Sequence, residues 1–311
     1  MERLLHPAHL PQRSHHPHGA ARTAFLPRRH GRVLLRIAVR DVAAGSGAHH
    51  RVLHRRAALS HRGDRDDRGQ GVRAVGCTVH DLSFEIPVEH FRWNQERSLT
   101  QCLDAGDPFT TTTFTMSAHG FTHADAPAHV VAKSPTVEAL DASAWIGWAT
   151  VLDVSAVPAG APVEPEDLAQ AAAGVTLRDI LLIRTDWELR RDVGTEAYWL
   201  DSPHLSSAAA RWLVDRGPRL VGFDFPQDRA IGDAMRGHTV RPTDFVTHDL
   251  LLRRGVLLLE YLRGLSALPR EVFLVAAPLK LAAGDGAPCR AVALCPDPDD
   301  PDDHPDERHR T

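Results

Sequence analysis

From residue 79 to residue 294 the chain alternates short apolar runs with turn residues. The runs at 149–154, 180–185, 220–225, 256–262 and 272–276 have the length and flanks of buried strands. Helices are predicted between some of them. The stretch 165–173 opens on Pro165 with Glu166 and Asp167 in its first turn, and 206–216 closes at Gly217, which are helix start and stop signals. Residues 244–253, closed by Gly255, read as a third helical stretch. Strands alternating with helices give an α/β core of at least five strands. The sequence holds no internal repeat, no Gly-x-Gly-x-x-Gly and no Walker-type loop, so a nucleotide fold has no support.

The pattern stops at both ends. Residues 1–75 contain 15 Arg, no Lys, five acidic residues and 10 of the 20 histidines, scattered among Pro and Gly with no repeating apolar face. Such a segment resembles a basic nucleic-acid-binding arm or an Arg-rich targeting peptide, and equally an unstructured extension that cannot offset its ordering entropy. We take it as the extension. Residues 296–311 hold seven acidic residues and four prolines and are read as a solvated acidic tail. One catalytic domain, residues 76–295, is therefore expected, with neither end adding a ligand or a core layer and with activity surviving their removal.

Composition narrows the class. At 311 residues and 43% hydrophobic content the chain can bury a sizeable core. No apolar run approaches the roughly 20 residues of a membrane span; the run 256–259 stops after four. Four cysteines (77, 102, 289 and 295) form no Cys-x-x-Cys pair and are too few for a disulfide scaffold, so a reducing, cytoplasmic compartment is expected. The net charge of −4 divides into +10 over residues 1–75 and −14 over the remainder.

The chemistry concentrates in eleven residues. Outside the two ends only eight histidines remain, and three fall in His119-Gly120-Phe121-Thr122-His123-Ala124-Asp125-Ala126-Pro127-Ala128-His129. His and Asp supply the donors that Zn²⁺ or Mn²⁺ prefers, and a catalytic site needs about three of them with one position open for water. The preceding 110–116 is β-prone, and in an extended continuation His123 and Asp125 point to the same side. Pro127 stops a helix from crossing the motif. The bland alternative makes these turn and surface residues of a His-rich protein.

Glu260 extends the site. A carboxylate inside the apolar run 256–262 costs several kcal/mol unless it is paired or metal-bound. An Arg184 or Arg290 salt bridge would serve equally. His248 lies twelve residues earlier, where a helix-then-strand return can bring the two together, although a hydrogen-bonded core histidine is also open.

The eleven-residue motif resembles the signature His-x-Gly-Thr-His-x-Asp-x-Pro-x-His of the cyclase-like metal-dependent hydrolases, the family of bacterial kynurenine formamidase and isatin hydrolase. Further landmarks follow in order: His80-Asp81-Leu82-Ser83, Leu182-Ile183-Arg184-Thr185-Asp186-Trp187, Gly222-Phe223-Asp224, Pro278-Leu279-Lys280, and Asp285-Gly286-Ala287-Pro288-Cys289-Arg290-Ala291-Val292-Ala293. The resemblance covers about residues 79–294. Two departures stand out. Phe121 occupies the signature's glycine position, with Gly120 displaced by one, which predicts altered backbone geometry beside the first ligand. Phe225-Pro226-Gln227-Asp228 replaces a segment in which many relatives carry Ser, which predicts a different pocket wall.

The resemblance implies a swivelling β/β/α fold, a mixed, partly barrel-like β-sheet with outer helices. It also implies a reaction in which a divalent metal, Zn²⁺ or Mn²⁺, lowers the pKa of water toward about 7 for attack on an amide, formamide or cyclic amide carbon. His119, His123 and Asp125 are the expected first ligands. His248 and Glu260 would hold a second ion bridged by Asp125, so one or two ions per chain are expected. His129, past the Pro127 turn, is the expected proton carrier. A cyclase or lyase using the same metal, or a catalytically silent metal-binding protein, are the alternatives. The expected partner is a small-molecule substrate, with no nucleic acid and no membrane, in a homodimer or homotetramer.

Overall fold

The computed structural model describes residues 72–74 and 77–296. The remaining leader and tail residues, on which two of the expected segments fall, lie outside the described residues. Val72–Ala74, counted with the leader by composition, form the edge strand β1 and pair antiparallel with β2 (Cys77–Asp81).

Each apolar run becomes a strand of one sheet, and the described residues form 14 strands in all. After β2 come β3 (Glu96–Gln101), β4 (Thr111–Thr115), β5 (His123–Asp125) and β6 (Ile146–Asp153). Next are β7 (Pro162–Val163), β8 (Ile180–Arg184), β9 (His204–Leu205) and β10 (Leu220–Phe223). The last four are β11 (Leu257–Glu260), β12 (Glu271–Val275), β13 (Gly286–Pro288) and β14 (Val292–Pro296). Ten of them share a sheet in the order β1-β2-β14-β12-β6-β8-β10-β11-β5-β13. The centre, β6-β8-β10-β11, is parallel, and both flanks are antiparallel.

The sheet curls into a half-barrel. Ser83 bridges to Leu262, joining the end of β2 to the end of β11 although five strands separate them in sheet order. The Arg263 amide reaches the Leu82 carbonyl at 3.0 Å, and the Cys289 amide the Thr122 carbonyl at 3.2 Å. Side-chain alternation divides the core into two layers. Leu181 and Ile183 of β8 and Val221 and Phe223 of β10 face an outer layer with Leu168, Ala209 and Leu213 of the helices α1 (Pro165–Ala171) and α4 (Ser207–Arg216). Between those helices lie two short ones, α2 (Trp187–Arg190) and α3 (Glu196–Leu200). Ile180 and Leu182 instead face the concave layer with Leu257, Leu259, Val272 and Leu274.

Helix ends follow the sequence signals. Ser206 accepts the Ala209 amide at the start of α4, and Gly217 ends it in the left-handed region at φ 64°. The stretch 244–253 is less regular than its pattern predicts. It is broken into a 3-10 turn, α6 (Val246–Leu250), and a second 3-10 turn closed by Gly255 at φ 87°, after α5 (Arg229–Met235). Strand β4 does not continue into β5. Among the described residues it pairs only with β3, in a ribbon whose residues are mostly exposed.

The family landmarks outside the motif are structural ties. Buried Asp224, at the carboxyl end of β10, accepts the Thr185 amide at 2.9 Å, the Thr185 hydroxyl at 2.6 Å and the Asp186 amide at 2.9 Å. It thereby locks the turn after β8, where Asp186 sits at φ 56°. Ser83 exchanges bonds with the amide and carbonyl of Ala291, and Asp81 pairs with Arg290.

Candidate metal centre

β5 carries two of the predicted ligands into the sheet. It lies antiparallel between β11 and β13, with Glu260 directly opposite His123 and Leu258 opposite Asp125. Ala124 faces the concave core, so His123, Asp125 and Glu260 share the other face. That face opens beside the carboxyl ends of the parallel strands, where open α/β sheets place ligands. All six predicted residues, His119, His123, Asp125, His129, His248 and Glu260, line one cavity of about 560 Å³.

Their polar atoms converge. His123 Nε2 lies 3.3 Å from Asp125 Oδ1 and 3.7 Å from Glu260 Oε2, while His248 Nε2 lies 3.6 Å from Asp125 Oδ2 and 3.5 Å from Glu260 Oε1. Each buried carboxylate thus turns one oxygen toward His123 and the other toward His248. Donors held 2.0–2.1 Å from a common tetrahedral ion lie about 3.3–3.4 Å apart, close to these separations. Asp125 Oδ2 is fully buried and has no hydrogen-bond partner among the described residues, an arrangement that costs free energy unless a cation meets it. No arginine reaches Glu260 among the described residues: Arg184 pairs with Asp153 and Asp186, and Arg290 with Asp81.

Surrounding groups fix the imidazoles. His123 Nδ1 donates to the Phe121 carbonyl at 2.7 Å, and His248 Nδ1 donates to Asp228 Oδ2 at 2.7 Å. Both bonds leave Nε2 as the face offered to an ion, the orientation that metal-ligating histidines require. Asp228 also accepts the Thr247 amide at 2.8 Å and its hydroxyl at 2.7 Å. The Gln227 side-chain amide donates to Glu260 Oε1 and lies 3.3 Å from the Thr247 hydroxyl. The donor set and its supports fit a divalent ion.

His119 and His129 form the outer part. His119 donates from Nδ1 to Asp125 at 2.7 Å and from Nε2 to Asp285 at 2.9 Å. His129 stacks on it at 4.0 Å between centroids, and its Nδ1 lies 3.2 Å from Asp285. Among the described residues, three groups have donor atoms close enough to share an ion: His119, His123 and Asp125; Asp125, His129 and His248; and His119, His129 and Asp285. Asp125 belongs to the first two.

Electrostatics separates these histidines. Burial opposes protonation of His119, yet the bonds and charges of Asp125 and Asp285 prevail and raise it to about 9. His248 is likewise held above its ordinary value against burial, by Asp125, Asp228 and Glu260. His129 moves the other way: burial lowers it, and the positive charges of His119 and His248 add to that against the pull of Asp125. It is neutral near pH 7, the state a proton acceptor needs. Burial and Glu260 push the Tyr261 hydroxyl up, with Arg92 acting in the opposite sense.

The signature's missing glycine has a visible consequence. Phe121 adopts φ 57°, a conformation suited to glycine, and its buried ring packs 4.5 Å from Trp93. Gly286 is a true steric requirement, since a Cβ there would lie 2.5 Å from His119 Cε1 and 3.0 Å from the Ala124 carbonyl. The sequence marks Gln227 and Asp228 only as part of an altered pocket wall and Asp285 only as a landmark, whereas they bond to Glu260, His248 and His119. The first two follow the carboxyl end of a parallel strand, which is the signal that could have found them.

The chain is similar to several known proteins. Residues 80–227 match the model of the Cyclase family. The kynurenine formamidase of Bordetella petrii is 29% identical over 205 residues, 66% of this chain and 86% of the relative. That of Salinibacter ruber is 33% identical over 186 residues, 59% of this chain and 79% of the relative. Isatin hydrolase A from Labrenzia aggregata bound to benzyl benzoate superposes with a TM-score of 0.60 at 25% identity, covering 72% of this chain and 95% of its own. A protein from Bacillus stearothermophilus described as a predicted metal-dependent hydrolase gives 0.53 at 26%, covering 70% of this chain and 98% of its own.

Proposed function

The chain belongs to the cyclase-like family of metal-dependent hydrolases, and we propose that it hydrolyses a non-peptide C–N bond, in an amide, formamide or cyclic amide of a small molecule, in the manner of kynurenine formamidase. The observation that carries the reading is the pair of buried carboxylates, Asp125 and Glu260, each facing both His123 and His248 with Asp125 Oδ2 left unpartnered. A divalent ion bound there supplies Lewis acidity, lowering the pKa of water toward about 7 and polarising a carbonyl. His119, His123 and Asp125 would hold one ion, and Asp125, His248 and Glu260 would hold a second. Zn²⁺ and Mn²⁺ both suit this nitrogen and carboxylate set.

His129 takes the proton of the attacking water as the C–O bond forms and returns one to the nitrogen as the C–N bond breaks, releasing amine and carboxylate. Asp285, bonded to Nδ1, orients its ring. His119 stacks on the His129 ring at 4.0 Å between centroids and limits its rotation.

The reading includes a cytoplasmic location, supported by four cysteines that are all free, and a homodimer or homotetramer. The β3–β4 ribbon supports association: Leu99, Phe109 and Phe114 are half exposed or more, and a two-stranded ribbon is marginal alone. Among the described residues no helix is long and apolar enough to cross a membrane.

The test is a panel of N-formyl aromatic amines, isatin-like lactams and simple esters, run with chelated and with Zn²⁺- or Mn²⁺-loaded protein. Metal-dependent release of a carboxylate is the expected result. A loaded protein that opens none of them, or that forms a ring or eliminates without consuming water, overturns it.

A further inference from the structure

β11 ends at Glu260, and the next residue breaks the strand's alternation. Leu258 faces the outer layer and Leu259 the concave layer, so an extended continuation would turn Tyr261 to the concave side, away from Glu260. Tyr261 instead adopts φ 56°, which returns its ring to the outer side and into the wall of the cavity that Glu260 lines. A bulky residue in the left-handed region is strained, in a conformation that glycine takes freely. Two bonds hold it there. The Thr122 hydroxyl donates to the Tyr261 carbonyl at 2.6 Å, and the Leu262 amide donates to the Phe223 carbonyl at 2.8 Å.

The ring is buried against Trp199, at 5.1 Å between centroids, and Trp93, at 5.6 Å, and it lies 5.5 Å from the His123 imidazole. A buried tyrosine ordinarily gives its hydroxyl to a protein acceptor. The adjacent aromatics do so. The Tyr198 hydroxyl donates to the Asp224 carbonyl at 3.4 Å, and the Trp199 indole donates to the Val193 carbonyl at 3.3 Å. The Tyr261 hydroxyl bonds to none of the described residues and is not sealed from the cavity. Packing alone would be served equally by phenylalanine.

Resting on the hydrolase reading, we propose that the Tyr261 hydroxyl donates a hydrogen bond to the oxygen of the scissile carbonyl. As the C–O bond to water forms and His129 takes the proton, the carbonyl π pair moves onto that oxygen, and the bond from Tyr261 strengthens with the charge. The pair returns as the C–N bond breaks. The phenolic proton stays on Tyr261 throughout. A donor fixed where charge develops lowers the barrier without tightening ground-state binding.

The metal-loaded full chain is compared with Tyr261→Phe, which keeps the ring and removes only the donor. With formanilide, kcat is expected to fall about 10- to 100-fold while KM stays within about threefold of the parent. Metal content is expected to be unchanged. Tyr261→Gly, which frees the backbone should the phenylalanine variant fail to fold, is expected to be at least as slow.

Binding gives a readout that needs no turnover. Phenylboronate, whose boron takes up hydroxide to become a tetrahedral anion, mimics the charged oxygen, whereas acetanilide offers a neutral carbonyl. By calorimetry Tyr261→Phe is expected to bind phenylboronate at least about tenfold more weakly, and acetanilide within about threefold of the parent. A kcat or a phenylboronate affinity that stays within about threefold of the parent in Tyr261→Phe overturns the proposal, as does a change confined to KM. A fall in kcat accompanied by lost metal also overturns it, because the ring would then act as a support for Glu260. So does a lowered Tm with phenylboronate affinity unchanged, which would leave the ring a packing role. Failure of the hydrolase reading looks different: the parent leaves formanilide and the rest of the substrate panel intact, while phenylboronate still separates the parent from Tyr261→Phe.

Discussion

Asp228→Asn isolates the support of one predicted ligand. Asp228 accepts the Thr247 amide on Oδ1, and the Thr247 hydroxyl and His248 Nδ1–H on Oδ2. Asparagine keeps the shape and the acceptor for the Thr247 amide, but places an NH₂ where Oδ2 was. That NH₂ can still donate to the Thr247 hydroxyl. Toward His248 it sets donor against donor unless the imidazole moves its proton to Nε2, which removes the lone pair that faces Asp125 and Glu260. Retaining the Nδ1–H tautomer leaves a buried donor unmatched at about 1–3 kcal/mol. Either route weakens ion binding at the His248 side by about 10- to 100-fold. Competition against a chromophoric chelator should show one site per chain weakened by that factor and the His119–His123 site unchanged. Affinities within about threefold of the parent at both sites would refute the argument that Asp228 orients His248.

His129→Ala is expected to keep its metal and lose turnover by about 10²–10⁴-fold; metal and turnover falling together would make it a ligand instead. Glu260→Gln should lower the metal content of the purified protein from two ions per chain toward one. A content of one ion in both proteins rejects the second site. In the chelated protein His119 titrates at about 9 against an ordinary 6.5, so its stabilisation is complete below about pH 6.5 and lost as pH rises through 9. Tm of the chelated protein should therefore fall across that window, and a rise would contradict the His119–Asp125–Asp285 pairing. Phe121→Gly should be more stable than Phe121→Ala by about 1 kcal/mol in urea unfolding, because both lose the buried ring and only glycine releases the left-handed strain. The opposite order would remove the strain argument.

The strands of the parallel centre were legible because each is a continuous apolar run bounded by turn residues, the pattern of a strand buried on both faces. β5 was legible only through its chemistry, since three residues carry no period. β13, equally short, had no local signal beyond a landmark containing Asp285 and Gly286. The six clustered residues could be named because histidines are scarce between the two ends and a carboxylate in an apolar strand is conspicuous. The bonds of Gln227 to Glu260 and of Asp228 to His248 were not legible, although their segment was expected to shape the pocket wall, for the opposite reason. Both residues sit in an irregular segment among ordinary polar residues, and their meaning depends on what the curled sheet folds against them. Phe121 showed the signature's glycine conformation held by packing where backbone freedom is absent.

The position of β5 also sets when the site can exist during synthesis. His119 meets Asp285 across 166 residues of sequence, and Thr122 meets the Tyr261 carbonyl across 139. Both strands that hold β5 come from the last quarter of the chain. A ribosome-bound nascent chain that has exposed the eleven-residue motif therefore has no floor for it, and closing such long loops is the slow part of folding. Ion capture becomes a late event, coupled to arrival of β11 and β13. A chain terminated before Leu257 carries His119, His123, Asp125 and His129 intact and still lacks the scaffold that aims them.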